Sequence, residues 1–402
     1  MSPASADHRR LAVVLAGAAA FVNLYAPQSL LPVLQKWIGN ADAALAGLIV
    51  SAGTLGVALA APFAGLLADR LGKRRVIVLA ALLVVIPGAA IPLAQTPQQL
   101  IAARFIEGLF LPGIFAVTVA YIGSEFPVAQ ARAVTSLYVA GTIGGGFCGR
   151  LLSGLVTEFA GWRWGFAALA LMQLLLALAI RAWLPAERPA AHPHVSSLAT
   201  LPALLRRPEL RGVFVVGFMI LFALVGGFTY VSLRLAQPPF SLGPAALSAI
   251  FVVYLVSMTI TALSGVLLNR YGHARVLALA WGITVLGLLL SLVPVLWVVC
   301  LGLMLFSAGL FIAQTTSTSF VGEAAGAARA PAVGLYVTCY YAGGSVGGVL
   351  PAPLWNHYGW SGVVALLCIA GVLSVSIGWR SFQHAARPAP SDPAFEAGGE
   401  AP

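Results

Sequence analysis

The feature that most constrains this chain is a recurring pattern of long apolar runs with almost no charge inside them. They fall at residues 11–34, 44–67, 76–95, 98–123, 132–157 and 162–184. Six more follow at 211–234, 244–268, 274–293, 296–321, 332–356 and 360–380. A helix crosses the hydrocarbon core of a bilayer with about 20 residues, so every run is long enough. The runs are continuous, whereas the strands of a membrane barrel alternate apolar and polar residues, so a β-barrel is excluded. The pattern specifies an all-α membrane protein with twelve transmembrane helices. Composition closes off the other classes, with 60% of residues hydrophobic and only 8% charged. Soluble domains run at roughly 45–50% and about 25%, so a soluble enzyme, a disordered chain and a nucleic-acid binder do not fit.

Arg9 and Arg10 before an Ala-rich stretch resemble the start of a signal peptide. The apolar run of 11–34 is too long for a 7–15-residue signal core, so it reads as the first span. The organisation is then a short N-terminus (1–10), a six-helix bundle (11–184), a linker (185–210), a second six-helix bundle (211–380) and a polar tail (381–402), expected to be disordered. His192 and His194 in the linker are too short a pair to read as a metal site, and no metal ligand set is expected. Cys148, Cys300, Cys339 and Cys368 are scattered without paired spacing and read as small core residues. Of the 22 Lys and Arg, only Lys36 and Arg163 fall in loops of one side, while Arg104, Arg150 and Arg234 lie within spans. The rest gather on the other side, which places both termini in the cytoplasm.

The second half repeats the first. Leu137-Tyr138-Val139 recurs as Leu335-Tyr336-Val337, Gly145 and Gly149 recur as Gly343 and Gly347, and Gly161-Trp162 recurs as Gly359-Trp360. Earlier, Gly65, Arg70, Gly72 and Arg75 map onto Gly265, Arg270, Gly272 and Arg275. Chance likeness between apolar segments does not bring Gly, Trp, Tyr and Arg into register. A parallel repeat of six helices is one way that transporters build two pseudo-symmetric bundles around a cavity.

Gly65-Leu66-Leu67-Ala68-Asp69-Arg70-Leu71-Gly72-Lys73-Arg74-Arg75 resembles the signature loop between the second and third helices of the major facilitator superfamily. The resemblance covers residues 11–380, and its overall pattern is similar to the bacterial twelve-span efflux branch, with its arabinose-efflux-like and drug:proton antiporters. It implies the major facilitator fold, a monomer in the bacterial inner membrane, and a small-molecule substrate. It also implies that this loop latches the cytoplasmic side, with Glu125 and Arg132 as partners by position. Independently of the resemblance, Gly65 and Gly72 permit close approach and a tight turn, and Asp69 suits a helix N-terminus or a basic side chain.

Ionisable residues inside a membrane are functional candidates, since each costs about 2.5–3.5 kcal/mol at a helix centre. Glu107 is the acid that qualifies, with Arg104 three positions earlier on the same helical face. Arg104 and Arg150 lie at similar depth, so Arg104, Glu107 and Arg150 are expected to form one cluster. Arg104-x-x-Glu107-Gly108 resembles the family's fourth-helix motif, with Glu where Gln is commoner. A carboxylate there can carry a proton, the expected coupling ion; a static ion pair fastening two helices is the competing explanation. Two arginines against one acid can also receive an organic anion.

Gly141, Gly145, Gly149, Gly343 and Gly347 stand at spacings that let helices touch closely. The family's antiporter motif carries Pro where this chain has Gly146. Asn23, Tyr25, Gln28, Tyr230 and Gln314 are expected to line the cavity with polar and aromatic groups. No phosphate-cradling loop is present, and no cofactor is expected. The expectation is a secondary transporter, not an enzyme, that exports a small organic solute in exchange for protons. Uptake or facilitated movement of an organic anion is one alternative, and a non-transporting membrane sensor another.

Overall fold

A computed structural model describes residues 3–39, 43–187, 201–261 and 264–385, and these residues are helical almost throughout, with no strand among them. The first crossing is α1 (Pro3–Phe21) followed by α2 (Pro27–Trp37), and the second is α3 (Ala43–Leu71). The third runs through α4 (Lys73–Leu83) and α5 (Val85–Ala90). α6 (Pro97–Glu125), α7 (Val128–Ala160) and α8 (Trp162–Trp183) complete the first bundle. A short α9 (Leu201–Arg206) leads into α10 (Pro208–Leu235), the seventh crossing. The eighth combines α11 (Pro244–Ile250), α12 (Val253–Thr261) and residues 264–271 of α13 (Ser264–Leu290). Gly272, at φ 73°, turns the chain into the ninth crossing within α13. α14 (Leu296–Ala324) is the tenth, and the eleventh runs through α15 (Arg329–Val349) to residue 358. Gly359, at φ 61°, opens the twelfth within α16 (Ala352–Ala385). A positive φ is open to glycine and strained for other residues, so these two turns sit where the chain has no side chain.

Nine helices among the described residues are long and apolar enough to cross a membrane unaided. The first and eighth spans differ from the continuous helices expected from the sequence, because the first is broken at 22–26 and the eighth at 251–252, between α11 and α12. α10 starts at Pro208 and α16 continues to Ala385, so helix extends into the expected linker and the start of the expected tail. Linker residues 188–200, with His192 and His194, and tail residues 386–402 lie outside the described residues.

Close backbone packing holds each bundle together in the same way. α7 lies on α1 so tightly that a Cβ on Gly141, Gly145 or Gly149 would come within 2.2, 2.4 and 2.0 Å of Val14, Ala18 and Val22 respectively. α15 lies on α10 in the same relation, where a Cβ on Gly343 or Gly347 would come within 1.9 and 2.3 Å of the carbonyl oxygens of Phe218 and Phe222. A second device also recurs. Arg9 donates to the carbonyl of Glu125 (2.5 Å), at the end of α6, and Arg207 donates to that of Ala324 (2.8 Å), at the end of α14. Guanidinium groups there satisfy carbonyls that the helix end leaves open and complement its dipole.

The bundles touch one another toward the end of the molecule remote from the termini. Gly47 of α3 meets the Gly348 carbonyl of α15, Gly154 of α7 meets Pro244 and Ser248 of α11, and Ala245 N–H donates to Glu158 (3.2 Å).

Candidate solute site at the break in the first crossing

The break spans residues 22–26. Pro27 stands in the first turn of α2, where its missing N–H costs nothing and its ring prevents α1 from running on. Val22 still donates to Ala18 (2.9 Å), and Gln28 donates to the Tyr25 carbonyl (3.1 Å). Between them the backbone leaves the helix deep in the bundle, where unsatisfied carbonyls are costly. Two arginines from neighbouring helices meet this break from different directions.

Arg104, on α6, donates to the Leu24 carbonyl (2.7 Å) and forms an ion pair with Glu107; both side chains are almost fully buried. Its guanidinium lies over Gly53 of α3, where a Cβ would sit 3.1 Å away, and Glu107 Oε1 faces Gly88 of α5, where a Cβ would sit 3.0 Å away. Gly108 and Gly56 bring α6 and α3 into backbone contact beside it. This pair is therefore enclosed within the first bundle.

Arg150, on α7, points elsewhere. It donates to Gln28 Oε1 and to the Gly146 carbonyl, both at 3.0 Å. Its guanidinium carbon lies 5.4 Å from the Tyr25 ring centre, 4.4 Å from Phe251 and 5.2 Å from Tyr254. Phe251 falls between α11 and α12, so the second bundle supplies two of the three rings. The single cluster of Arg104, Glu107 and Arg150 expected from depth is thus corrected to two separate sites. The arginines share a level but project from α6 and α7 in different directions.

Other candidates divide in the same way. Asn23 is buried beside Leu24, and its amide nitrogen has no hydrogen-bond partner. Tyr25 and Gln28 meet Arg150 as described. Tyr230 is fully buried and donates to the Gly348 carbonyl (3.0 Å), placing it in the packing of α10 on α15 rather than on a cavity wall. Gln314 accepts from Tyr336 (2.7 Å) inside the second bundle.

In the loop over 65–75, Gly72 adopts φ 92°, and the Lys73 N–H at the start of α4 donates to Glu187 (2.9 Å). Arg74 donates to the carbonyls of Leu184 (2.6 Å) and Arg181 (3.1 Å) at the end of α8. Asp69, Arg70 and Arg75 are exposed, as is Gly65. Glu125, expected as a partner of this loop, is held by Arg9 (3.6 Å between charged groups), and Arg132 is exposed and pairs with no described residue. Arg9, Glu187, Glu158 and Phe251 were not among the sequence candidates. The first three become visible only once helix ends meet, and a Phe in an apolar run carries no mark of its own.

The geometry is that of a helical bundle pair with buried polar groups at a break between the bundles. The family model of the Major Facilitator Superfamily matches residues 13–348. The chain belongs to the major facilitator superfamily. Among its relatives, the "Inner membrane transport protein YnfM" of Escherichia coli (strain K12) is 32% identical, over 92% of this chain and 89% of that protein. The "Uncharacterized MFS-type transporter YybF" of Bacillus subtilis (strain 168) is 30% identical, over 88% of each. Among solved structures, a bacterial homologue of the human lysosomal transporter Spinster, inward-facing and unoccupied, superposes with a TM-score of 0.77 at 14% identity. It covers 97% of this chain and 100% of that one. The nucleoside transporter NupG gives 0.73 at 17% identity, covering 93% and 99%. The chain is a multi-pass membrane transporter of this superfamily; its relatives and structural neighbours are transporters rather than enzymes.

Proposed function

We propose that the chain moves a small organic solute by alternating access, in the inner membrane of a bacterium and as a monomer, with both termini in the cytoplasm. The observation that carries this reading is the break at 22–26. It holds the buried Asn23 amide nitrogen, without a partner, and beside it Arg150, bound to Gln28 with its Nε unpaired, in a protein whose two bundles meet at their far ends. With the termini cytoplasmic, that contact closes the external side and makes this the inward-facing arrangement. Rocking the bundles about the break then exposes it to each side in turn. Protons are the coupling ion in this reading, and Glu107 is their carrier. Glu107 is paired with Arg104, which also holds the Leu24 carbonyl, so proton loading at Glu107 reaches the break through Arg104. The branch resemblance favours export.

Reconstitution into vesicles tests this. A solute found by screening should accumulate against an imposed proton gradient, and Glu107→Gln should abolish that accumulation while leaving exchange at equal pH. Unchanged pH-driven accumulation in Glu107→Gln removes the proton role. A specific observation also favours a second reading, movement of an organic anion: Arg150 has no carboxylate partner among the described residues.

A further inference from the structure

We infer that Arg150 is the receptor for the carboxylate of an aromatic monocarboxylic acid, and that Phe251 and Tyr254 of the second bundle cover it in the present state. The inference rests on the transport reading above and specifies its substrate class. Arg150 stands ten residues before the end of α7, which puts it about 15 Å inside the helix at 1.5 Å per residue. At such depth a charge is kept where a partner or a use exists. Its hydrogen-bond partners, the Gly146 carbonyl and the Gln28 amide, are neutral, and its buried Nε has none. The described acids near the spans are engaged elsewhere: Glu107 with Arg104, Glu125 with Arg9, Glu209 with Arg207, and Glu158 at Ala245.

What offsets the charge is aromatic: three rings within reach of a cation–π contact, two of them across the bundle boundary. Opening the far end separates α7 from α11 and α12. Arg150 then loses Phe251 and Tyr254 and needs a replacement, which an anion provides through charge-assisted hydrogen bonds. The site therefore holds its anion with the far side open and gives it up with the far side closed, which makes the conformational equilibrium respond to the anion and suits the organic-anion uptake reading rather than export. The internal repeat supports a role outside the shared scaffold. The glycines that pack α7 recur in α15, but the position equivalent to Arg150 is Gly348. One buried cation without an acid partner matches one negative charge. Phe251 and Tyr254, with ring centres 5.7 Å apart over the guanidinium, are replaced most closely by another flat aromatic body.

The test is binding to the purified full-length protein, read by thermal stabilisation and by equilibrium titration. The probes are benzoate, 4-hydroxybenzoate and the neutral benzamide. Both acids should bind and benzamide should not. Arg150→Gln should lose at least tenfold in affinity for the acids, and Arg150→Lys should retain most of it. Phe251→Ala, which removes one covering ring, should bind the acids about five- to thirtyfold more tightly. If Arg150→Gln does not fold, the other two variants still decide. Benzamide binding as well as benzoate, weaker acid binding in Phe251→Ala, or no acid binding even in that variant overturns the inference. Vesicle transport of a neutral solute that survives Arg150→Gln overturns the inference and leaves the transport reading standing. Acid binding without transport of any solute overturns the transport reading instead.

Discussion

Gly47→Ala is the sharpest perturbation of the contact between the bundles. The Gly47 Cα faces the backbone of Gly348, and a Cβ there would lie 1.9 Å from the Gly348 carbonyl oxygen and 2.8 Å from its carbon. A carbon and a carbonyl oxygen normally approach to about 3.3–3.6 Å, so α3 and α15 must move apart by about 1.5 Å. The obstacle is backbone, so no side-chain rotation relieves it. Overpacking of this kind costs about 1–3 kcal/mol. The cost falls only on the state in which the far ends touch, because the opposite state parts α3 from α15 at this level. The ratio of far-closed to far-open molecules should fall by about 5- to 150-fold, at 1.4 kcal/mol per factor of ten. Population should be read by labelling Ser248→Cys, a buried far-end position against Gly154, in a background with the four native cysteines replaced. A membrane-impermeant maleimide added from the far side should react faster in Gly47→Ala by a factor in that range. Unchanged labelling together with a lower thermal midpoint would refute the reasoning, since the contact would then stabilise both states alike.

Three further outcomes follow from the packing and the ion pairs. Glu107→Ala leaves the Arg104 charge buried without its acid and should cost about 3–5 kcal/mol, measured by reversible unfolding in bicelles; the double variant Glu107→Ala/Arg104→Leu should recover most of it. Gly145→Ala places a Cβ 2.4 Å from the Ala18 Cα and should cost about 1–3 kcal/mol by thermal unfolding, whereas Gly144→Ala, which faces open space, should stay within about 0.5 kcal/mol. Arg207→Ala removes the guanidinium from the Ala324 carbonyl and should lower stability by about 1 kcal/mol, with faster hydrogen exchange confined to the end of α14.

Much of the fold is legible because the bilayer imposes it residue by residue. Charge-free runs mark the crossings, and the register of Gly145 with Gly343 and Gly149 with Gly347 announces two equivalent packings, α7 on α1 and α15 on α10. Gly72 was legible for a similar reason, since a loop between two antiparallel helices needs a residue that accepts φ 92°. The break in the first crossing was less so. Pro27 lacks the N–H that would bond four residues back and its ring crowds that carbonyl, a usable signal even though Ala26 itself stays helical, but the apolar run through 11–34 outweighed it. The direction in which Arg104 and Arg150 point around their axes was not legible at all. Sequence gives depth along a helix at 1.5 Å per residue, but the face it presents depends on which neighbour it packs against. Glu125 shows the same limit, because its partner Arg9 lies 116 residues away and only the assembled helix ends bring them together.

The two buried arginines show how the same side chain at a similar depth serves different ends. Arg104 is committed: an acid on its own helix takes one nitrogen, the Leu24 carbonyl takes another, and Gly53 makes room for the guanidinium. These contacts lie within one bundle and travel with it as a rigid body. Arg150 is held by neutral groups of its own bundle and by rings of the other, so its surroundings must change whenever the bundles rock. A binding group that discriminates between states has to straddle the moving boundary, because contacts that move together have the same free energy in both states. By that criterion Arg104 and Glu107 can act on the solute only through the segment they hold at Leu24, which leads into Tyr25 and Gln28. Arg150 acts on it directly.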